Sequence, residues 1–292
     1  MKGNKYKIIA ILIVIAVAAI SSYFTKEAQK PKVVQKREDG VLAVHFIDVG
    51  EADCTYIELP DGKTMLIDAG EVENGEDVSE YISSRETERI DFLVGTHPHS
   101  DHIGGLAAIV NSFDVGNVYM PRVSHNSVAY ENLISAVLDK NMKIKSPMGG
   151  DVIYETDNVL IEVLSPNRAE YDNLNNYSIV IKLTYGDTSF LFTGDAENEV
   201  LWEITGDVSA DVLKVAHHGS DTSSDEVFMK RVSPSYAVIP VGENNQYGHP
   251  HWEVLKLLSE INAKVYRTDE DGTVVVTSDG ENIGVTTLGA EK

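Results

Sequence analysis

Cysteine is almost absent from this chain: Cys54 is the only one in 292 residues. No disulfide can form within the chain, so stability has to come from a packed core and from any metal it binds. Basic residues are scarce as well, with 24 Lys and Arg against 46 Asp and Glu. Eight of those bases and only one acid lie before residue 38, which leaves 16 bases against 45 acids beyond it, a net charge near −29. A surface that negative repels polyanions and excludes a broad basic groove for nucleic acid. Low-complexity tracts and short internal repeats are missing too. Hydrophobic residues at 42% and charged residues at 24% are ordinary for a folded protein, and the length suits one large α/β domain.

Long apolar runs are confined to one place. Lys2, Lys5 and Lys7 precede an unbroken stretch from Ile8 to Ile20, followed by Ser21, Ser22, Tyr23 and Phe24. A basic head before such a run has the form of a signal peptide or an N-terminal membrane anchor over residues 1–24, with Ala16-Val17-Ala18 as a small-residue cleavage site. Carried on to Phe24, it approaches the roughly 17 residues that span a bilayer. Residues 25–40 are polar and basic and read as a linker that can lie against anionic headgroups. The domain from 41 to 292 is then expected outside the cytoplasm, held at the membrane or secreted. No protein partner is deducible.

That domain opens with strand-like alternation at Leu42, Val44 and Phe46, and two further strands flank the turn Pro60-Asp61-Gly62. Helical stretches are expected over 77–88, 105–113, 127–140, 197–204 and 252–261. Strands are expected over 91–96, 159–164, 178–185, 189–193, 212–215 and 237–241, with two more at the end. Strands interleaved with helices in this way predict two packed sheets covered by helices.

The densest chemical signal is His97-Pro98-His99-Ser100-Asp101-His102, directly after the strand Phe92-Leu93-Val94. Four metal-ligating side chains fall within six residues at a strand end, where a rigid sheet can aim them at one point. Imidazole and carboxylate donors without thiolate suit Zn²⁺, Mn²⁺ or Fe²⁺. This pattern, followed by Gly104-Gly105, resembles the defining motif of the metallo-β-lactamase superfamily. Phe46-Ile47-Asp48-Val49-Gly50, Leu66-Ile67-Asp68-Ala69-Gly70, Phe192-Thr193-Gly194-Asp195, His217-His218-Gly219-Ser220 and Tyr247-Gly248-His249-Pro250 follow in the order seen there. Together, over residues 41–278, they look most like the metallo-hydrolase domain of competence proteins of the ComEC type and its stand-alone relatives. Secreted phosphorylcholine esterases are similar as well. Glu51-Ala52 departs from the usual Gln-Gly.

The resemblance implies an αββα sandwich and two divalent ions, zinc ahead of manganese. Carried over, His97 and His99 serve the first ion, Asp101 and His102 the second, and Asp195 bridges them; as a plain residue Asp195 would instead cap the helix that follows. The further histidine that many members place before the bridging Asp is missing from Leu174-Asn175-Asn176-Tyr177-Ser178. Either His217 or His218 takes its place or the first ion is more open. On an extended segment adjacent side chains diverge, which predicts His218 at the metals and His217 one step out as proton donor. His249 is expected as the last ligand of the second ion, and His251 as scaffold. Asp68, and less so Asp48, should brace ligand histidines. Asn175, Asn176 and Ser220 are candidate substrate contacts, and Cys54 a small core residue.

The chemistry implied is attack by a hydroxide held between two cations, with Asp101, His217 and His218 as catalytic residues. That suits hydrolysis of a phosphoester, either DNA or a small phosphodiester such as phosphorylcholine; lactam hydrolysis is disfavoured by the missing histidine. The competing class is a non-catalytic module of a DNA-uptake apparatus.

Overall fold

The computed structural model describes residues 39–289. The expected anchor at 1–24 and all but the last two residues of the 25–40 linker lie outside the described residues, among which no helix is long and apolar enough to cross a membrane.

Among the described residues fifteen strands form two sheets: β1 (Leu42–Phe46), β2 (Thr55–Glu58), β3 (Thr64–Ile67), β4 (Arg89–Val94), β5 (Asp114–Tyr119), β6 (Ile144–Lys145), β7 (Val152–Glu155), β8 (Val159–Ser165), β9 (Val180–Tyr185), β10 (Thr188–Phe192), β11 (Val212–Lys214), β12 (Tyr236–Ile239), β13 (Lys264–Arg267), β14 (Val274–Ser278) and β15 (Ile283–Thr287). The first sheet runs β15-β14-β1-β2-β3-β4-β5-β6 and the second β13-β12-β11-β10-β9-β8-β7. Both are mixed: β3 to β6 and β10 to β13 pair in parallel, the others antiparallel.

Side-chain alternation explains how the sheets stack. Val44 and Phe46 of β1, Ile161 and Val163 of β8, Ile181 and Leu183 of β9, and Phe190 and Phe192 of β10 share one core between the sheets. The opposite face of the first sheet packs Leu66 and Leu93 under helices Gly75–Ser84, Leu106–Ser112 and Val128–Asp139. That of the second packs Leu191 and Leu213 under Asn198–Glu203, Glu226–Val232 and Trp252–Glu260. Three cores between four layers make the expected αββα sandwich.

Several elements differ from expectation. The helix expected from residue 105 is preceded by a separate turn, Ser100–Ile103, and strands β5, β6 and β7 and helix Glu226–Val232 were not anticipated. Three strands, not two, follow the helix near residue 252, because the short, mixed Lys264-Val-Tyr-Arg stretch pairs with β12 while β14 and β15 return to the first sheet. The parallel strands β3 and β4 end on the edge where β1 also ends, and β10, β11 and β12 end together in the other sheet. Carboxyl ends of parallel strands are where open α/β sheets gather binding residues.

Candidate metal centre

The loop after β4 carries the His/Asp cluster, and its backbone is tied on two sides. Ala69 N–H donates to His102 O at 2.8 Å, and Asp53 N–H to Asp101 O at 3.0 Å. His97 Nε2 and His99 Nδ1 approach to 2.9 Å, so the two rings aim their nitrogens at a common point. His102 Nε2 lies 3.4 Å from Asp101 Oδ2 and 3.2 Å from Asp195 Oδ2. Asp195 is delivered by the turn after β10, where Gly194 takes φ +51° and a side chain would meet Thr96 and Ser178. Its own N–H donates to Ser178 Oγ at 3.1 Å. The N-cap position of the helix that follows is Glu197, two residues on, so Asp195 is not its cap residue.

The His217-His218 pair overturns the divergence expected of an extended segment. Both residues are left-handed, with φ 51° and 52°, a conformation uncommon outside glycine. The turn brings both rings in: His217 Nε2 is 3.7 Å and His218 Nε2 3.9 Å from Asp195 Oδ2. His218 Nε2 also lies 3.4 Å from Asp101 Oδ2, while its Nδ1 bonds Pro240 O at 2.9 Å. Ligand atoms of Asp101, His102, Asp195 and His218 all fall within 4.8 Å of one another. His218 thus stands with the group expected around the second ion, not the first.

His249 stands outside that group. Its Nδ1 is 2.9 Å from Glu51 Oε1, and its ring nitrogens make no ion-pair contact with Asp101 or Asp195. Asp68 Oδ2 lies 2.8 Å from His102 Nδ1, and Asp68 is itself held by Thr96 N–H and Oγ1. Asp48 sits at the exposed end of β1, where it accepts the Gly50 N–H. Asn175 lines the cavity with a buried Oδ1 that has no hydrogen-bond partner. Asn176 instead ties Glu197 and Glu199, and Ser220 caps the turn at Asp221. His251 contacts Asp221 at the rim, and Cys54 is fully buried in the core.

Two residues went unnoticed in the sequence. Lys214, buried at the end of β11, pairs with Asp53, donates to Gly194 O at 2.8 Å and lies 3.9 Å from Asp195 Oδ1. Asp53 Oδ1 and Oδ2 lie 3.6 and 3.7 Å from the Nδ1 atoms of His218 and His102. A lysine inside Val212-Leu213-Lys214-Val215-Ala216 was the available sign, since buried lysines are almost always paired.

Electrostatics separate the histidines. Burial alone would strip protons from His102 and His218, but Asp195 and Asp101 outweigh it and raise both, His218 to about 9. His97, His99 and His217 are lowered, chiefly by burial, which favours the neutral imidazole. Burial also pushes Asp101 and Asp195 up, yet the neighbouring imidazoles hold both well below the usual carboxylate range.

The donors fit a divalent metal. His102 Nε2 and Asp195 Oδ1 are buried without a hydrogen-bond partner at the middle of the cluster, and every converging atom is an imidazole nitrogen or carboxylate oxygen. Fold and site define a metallo-hydrolase-type αββα protein. Residues 47–243 match the family described as the metallo-beta-lactamase superfamily, and the chain belongs to it. It is 31% identical over 251 residues to ComE operon protein 3 of Bacillus subtilis, covering 79% of this chain and 32% of that protein. It is 30% identical over 241 residues to Recombination protein 2 of Haemophilus influenzae, covering 80% and 28%. It is 28% identical over 250 residues to Competence protein ComA of Neisseria gonorrhoeae, covering 84% and 33%. The chain therefore spans about a third of the length of these relatives. Among solved structures, CmlA, a diiron β-hydroxylase from Streptomyces venezuelae, shares the fold at TM-score 0.50 and 16% identity, over 80% of this chain and 53% of that one.

Proposed function

We propose that the chain is a metal-dependent hydrolase of phosphoester bonds, acting on a phosphodiester outside the cytoplasm. The convergence of Asp101, His102, Asp195 and His218 beside the His97–His99 pair, on the floor of a cavity, carries this reading. His97 and His99 would hold one ion, Asp101, His102 and His218 another, with Asp195 between them and His217 beside the first. Two such ions, zinc ahead of manganese, would supply a deprotonated water and positive charge for the attacked centre. The residues contribute orientation: Asp68 and Asp53 fix the imidazoles, Lys214 fixes the turn that carries Asp195, and Asn175 offers an unpartnered amide oxygen to substrate.

Relatives named for competence and recombination support a nuclease within DNA uptake. The cavity supports a smaller phosphodiester, because Glu51, Glu71, Glu73 and Tyr247 line it and no Lys or Arg does. A phosphorylcholine ester meets that lining better than a long strand of phosphates does. The extracytoplasmic location rests on the basic-apolar segment of residues 1–24.

The test is metal content and hydrolysis by the full chain loaded with Zn²⁺ or Mn²⁺, wild type against Asp101→Ala. Substrates are single-stranded DNA, bis(p-nitrophenyl) phosphate, p-nitrophenylphosphorylcholine and a chromogenic lactam. Wild type should turn over a phosphodiester and Asp101→Ala should lose metal and rate together. Bound metal with no turnover of any substrate would leave the non-catalytic module, and turnover of the lactam alone would overturn the phosphoester reading.

A further inference from the structure

We propose that a second cavity beside the metal centre, lined by Arg122, Arg168 and Tyr171, is a nucleotide subsite. It takes the unit that flanks the scissile phosphate of a single strand, and so selects a nucleotide over phosphorylcholine. The proposal rests on the phosphoesterase reading above for where the scissile phosphate lies. The cavity measures about 820 Å³. Two segments join it to the first one. The turn Leu174–Tyr177 gives Asn175 to the first cavity and Tyr177 to the second. The loop after β5 gives Arg122 and Ser124 to the second, and sets the His125 ring 6.2 Å from that of His99, which lines the first. These loops are neighbours because β4 and β5 pair in parallel, Val94 beside Tyr119.

Beyond residue 37 the chain has 16 bases against 45 acids, yet two of those bases line this one cavity, and none lines the first. Arg122 is exposed and makes no hydrogen bond or ion pair among the described residues, so its guanidinium is free to meet a phosphate in the two-pronged way such groups favour. Arg168 is held instead. Its guanidinium sits over the Tyr171 ring, 4.6 Å from the centroid, and pairs with Glu199 and Glu203. Tyr171 is fixed in turn, its hydroxyl donating to Glu203 Oε2 at 3.0 Å and accepting the Arg168 N–H at 3.0 Å. With its charge answered and its side chain half-exposed, Arg168 offers a flat, weakly hydrated plane, on which an unstacked base can lie. Glu170 and Asp172, also on the cavity wall, have no hydrogen bond or ion pair among the described residues and can accept from the amino group of a base. One free arginine beside two free carboxylates repels a run of phosphates but matches one phosphate and one base.

The experiment uses the full chain loaded with Zn²⁺ and p-nitrophenyl esters of three phosphates: methyl phosphate, deoxycytidine 5′-phosphate, and deoxycytidine 3′,5′-bisphosphate esterified at the 5′ phosphate. Isomers with the ester at the 3′ phosphate cover the opposite strand direction, and cytidine forms tell an RNA strand from a DNA one. Wild type should prefer the nucleoside ester to the methyl ester, and the bisphosphate to both, in kcat/KM. Arg122→Ala should cut the gain from the second phosphate by about 10–100-fold, and Arg122→Lys by less. Arg168→Lys keeps the charge that answers Glu199 and Glu203 but loses the plane, and should cut the gain from the nucleoside by about 5–150-fold. Calorimetric titration with deoxycytidine 3′,5′-bisphosphate reads binding apart from turnover, and its Kd should rise by about 10–100-fold in Arg122→Ala. A wild type without preference for nucleoside esters, or an Arg122→Ala chain with unchanged preference and Kd, overturns the subsite. Cleavage of none of the esters overturns the hydrolase reading, and the titration then decides the subsite by itself.

Discussion

Replacing Lys214 by methionine keeps a long apolar stem in a buried position and removes its ammonium. In the folded protein that ammonium answers the Asp53 carboxylate and the Gly194 carbonyl, and both Lys214 and Asp53 are 3% exposed. Their mutual attraction barely exceeds the cost of burying them, but removing one partner strands the other in a site that water does not reach. That costs about 3–5 kcal/mol. At roughly 2–4 °C per kcal/mol for a unit of this size, the midpoint should fall by about 6–20 °C. Asp53 is already pushed upward by burial, with Lys214 the main group pulling it back, so the lone carboxyl would relieve part of the loss by taking a proton. Removing both charges, in Asp53→Asn with Lys214→Met, should recover much of the stability, and the double-mutant cycle should show coupling above about 1 kcal/mol. Unfolding by urea in the presence of a chelator keeps metal binding from masking the difference. A single variant within about 1 kcal/mol of wild type, or a cycle without coupling, would refute the idea that this pair is a buried, mutually dependent one.

Asp68→Ala should weaken metal binding by about 10–100-fold while leaving the ligand set intact, because His102 loses the carboxylate at 2.8 Å that orients it; competition with a chromogenic chelator measures this. The buried His45–Glu58–Arg85 group should make the fold acid-sensitive. Burial raises the Glu58 carboxyl, but bonds from His45 and Arg85 outweigh that and lower it to about 2, so its contribution is complete above about pH 4.5 and is lost as pH falls toward 2. His45 is lowered by burial, so the unfolded chain takes that proton first and stability also declines below about pH 6.5. Glu58→Gln should flatten the loss between pH 4.5 and 2 in urea midpoints; an unchanged slope there would count against it.

What the sequence determined by itself was the pair of helix-covered sheets and the crowding of candidate ligands on one turn. Period-two alternation in β1, β8, β9 and β10 marks the face each strand turns to the inner core, and HxHxDH places four candidate ligands on one short turn, where neighbouring residues cannot be far apart in any fold. Asp68 and Asp195 stand at the ends of apolar strand runs, but their roles entered only through the family resemblance. Tertiary structure alone decided the rest. Whether His217 and His218 diverge or converge depends on two left-handed backbone angles that no periodicity records. Asp53 with Lys214, and Glu51 with His249, are pairs 161 and 198 residues apart, brought together only because strands of two different sheets end at one edge. The same edge sets His218 beside Asp101 and Asp195 and His249 beside Glu51, a distinction that chain order cannot carry.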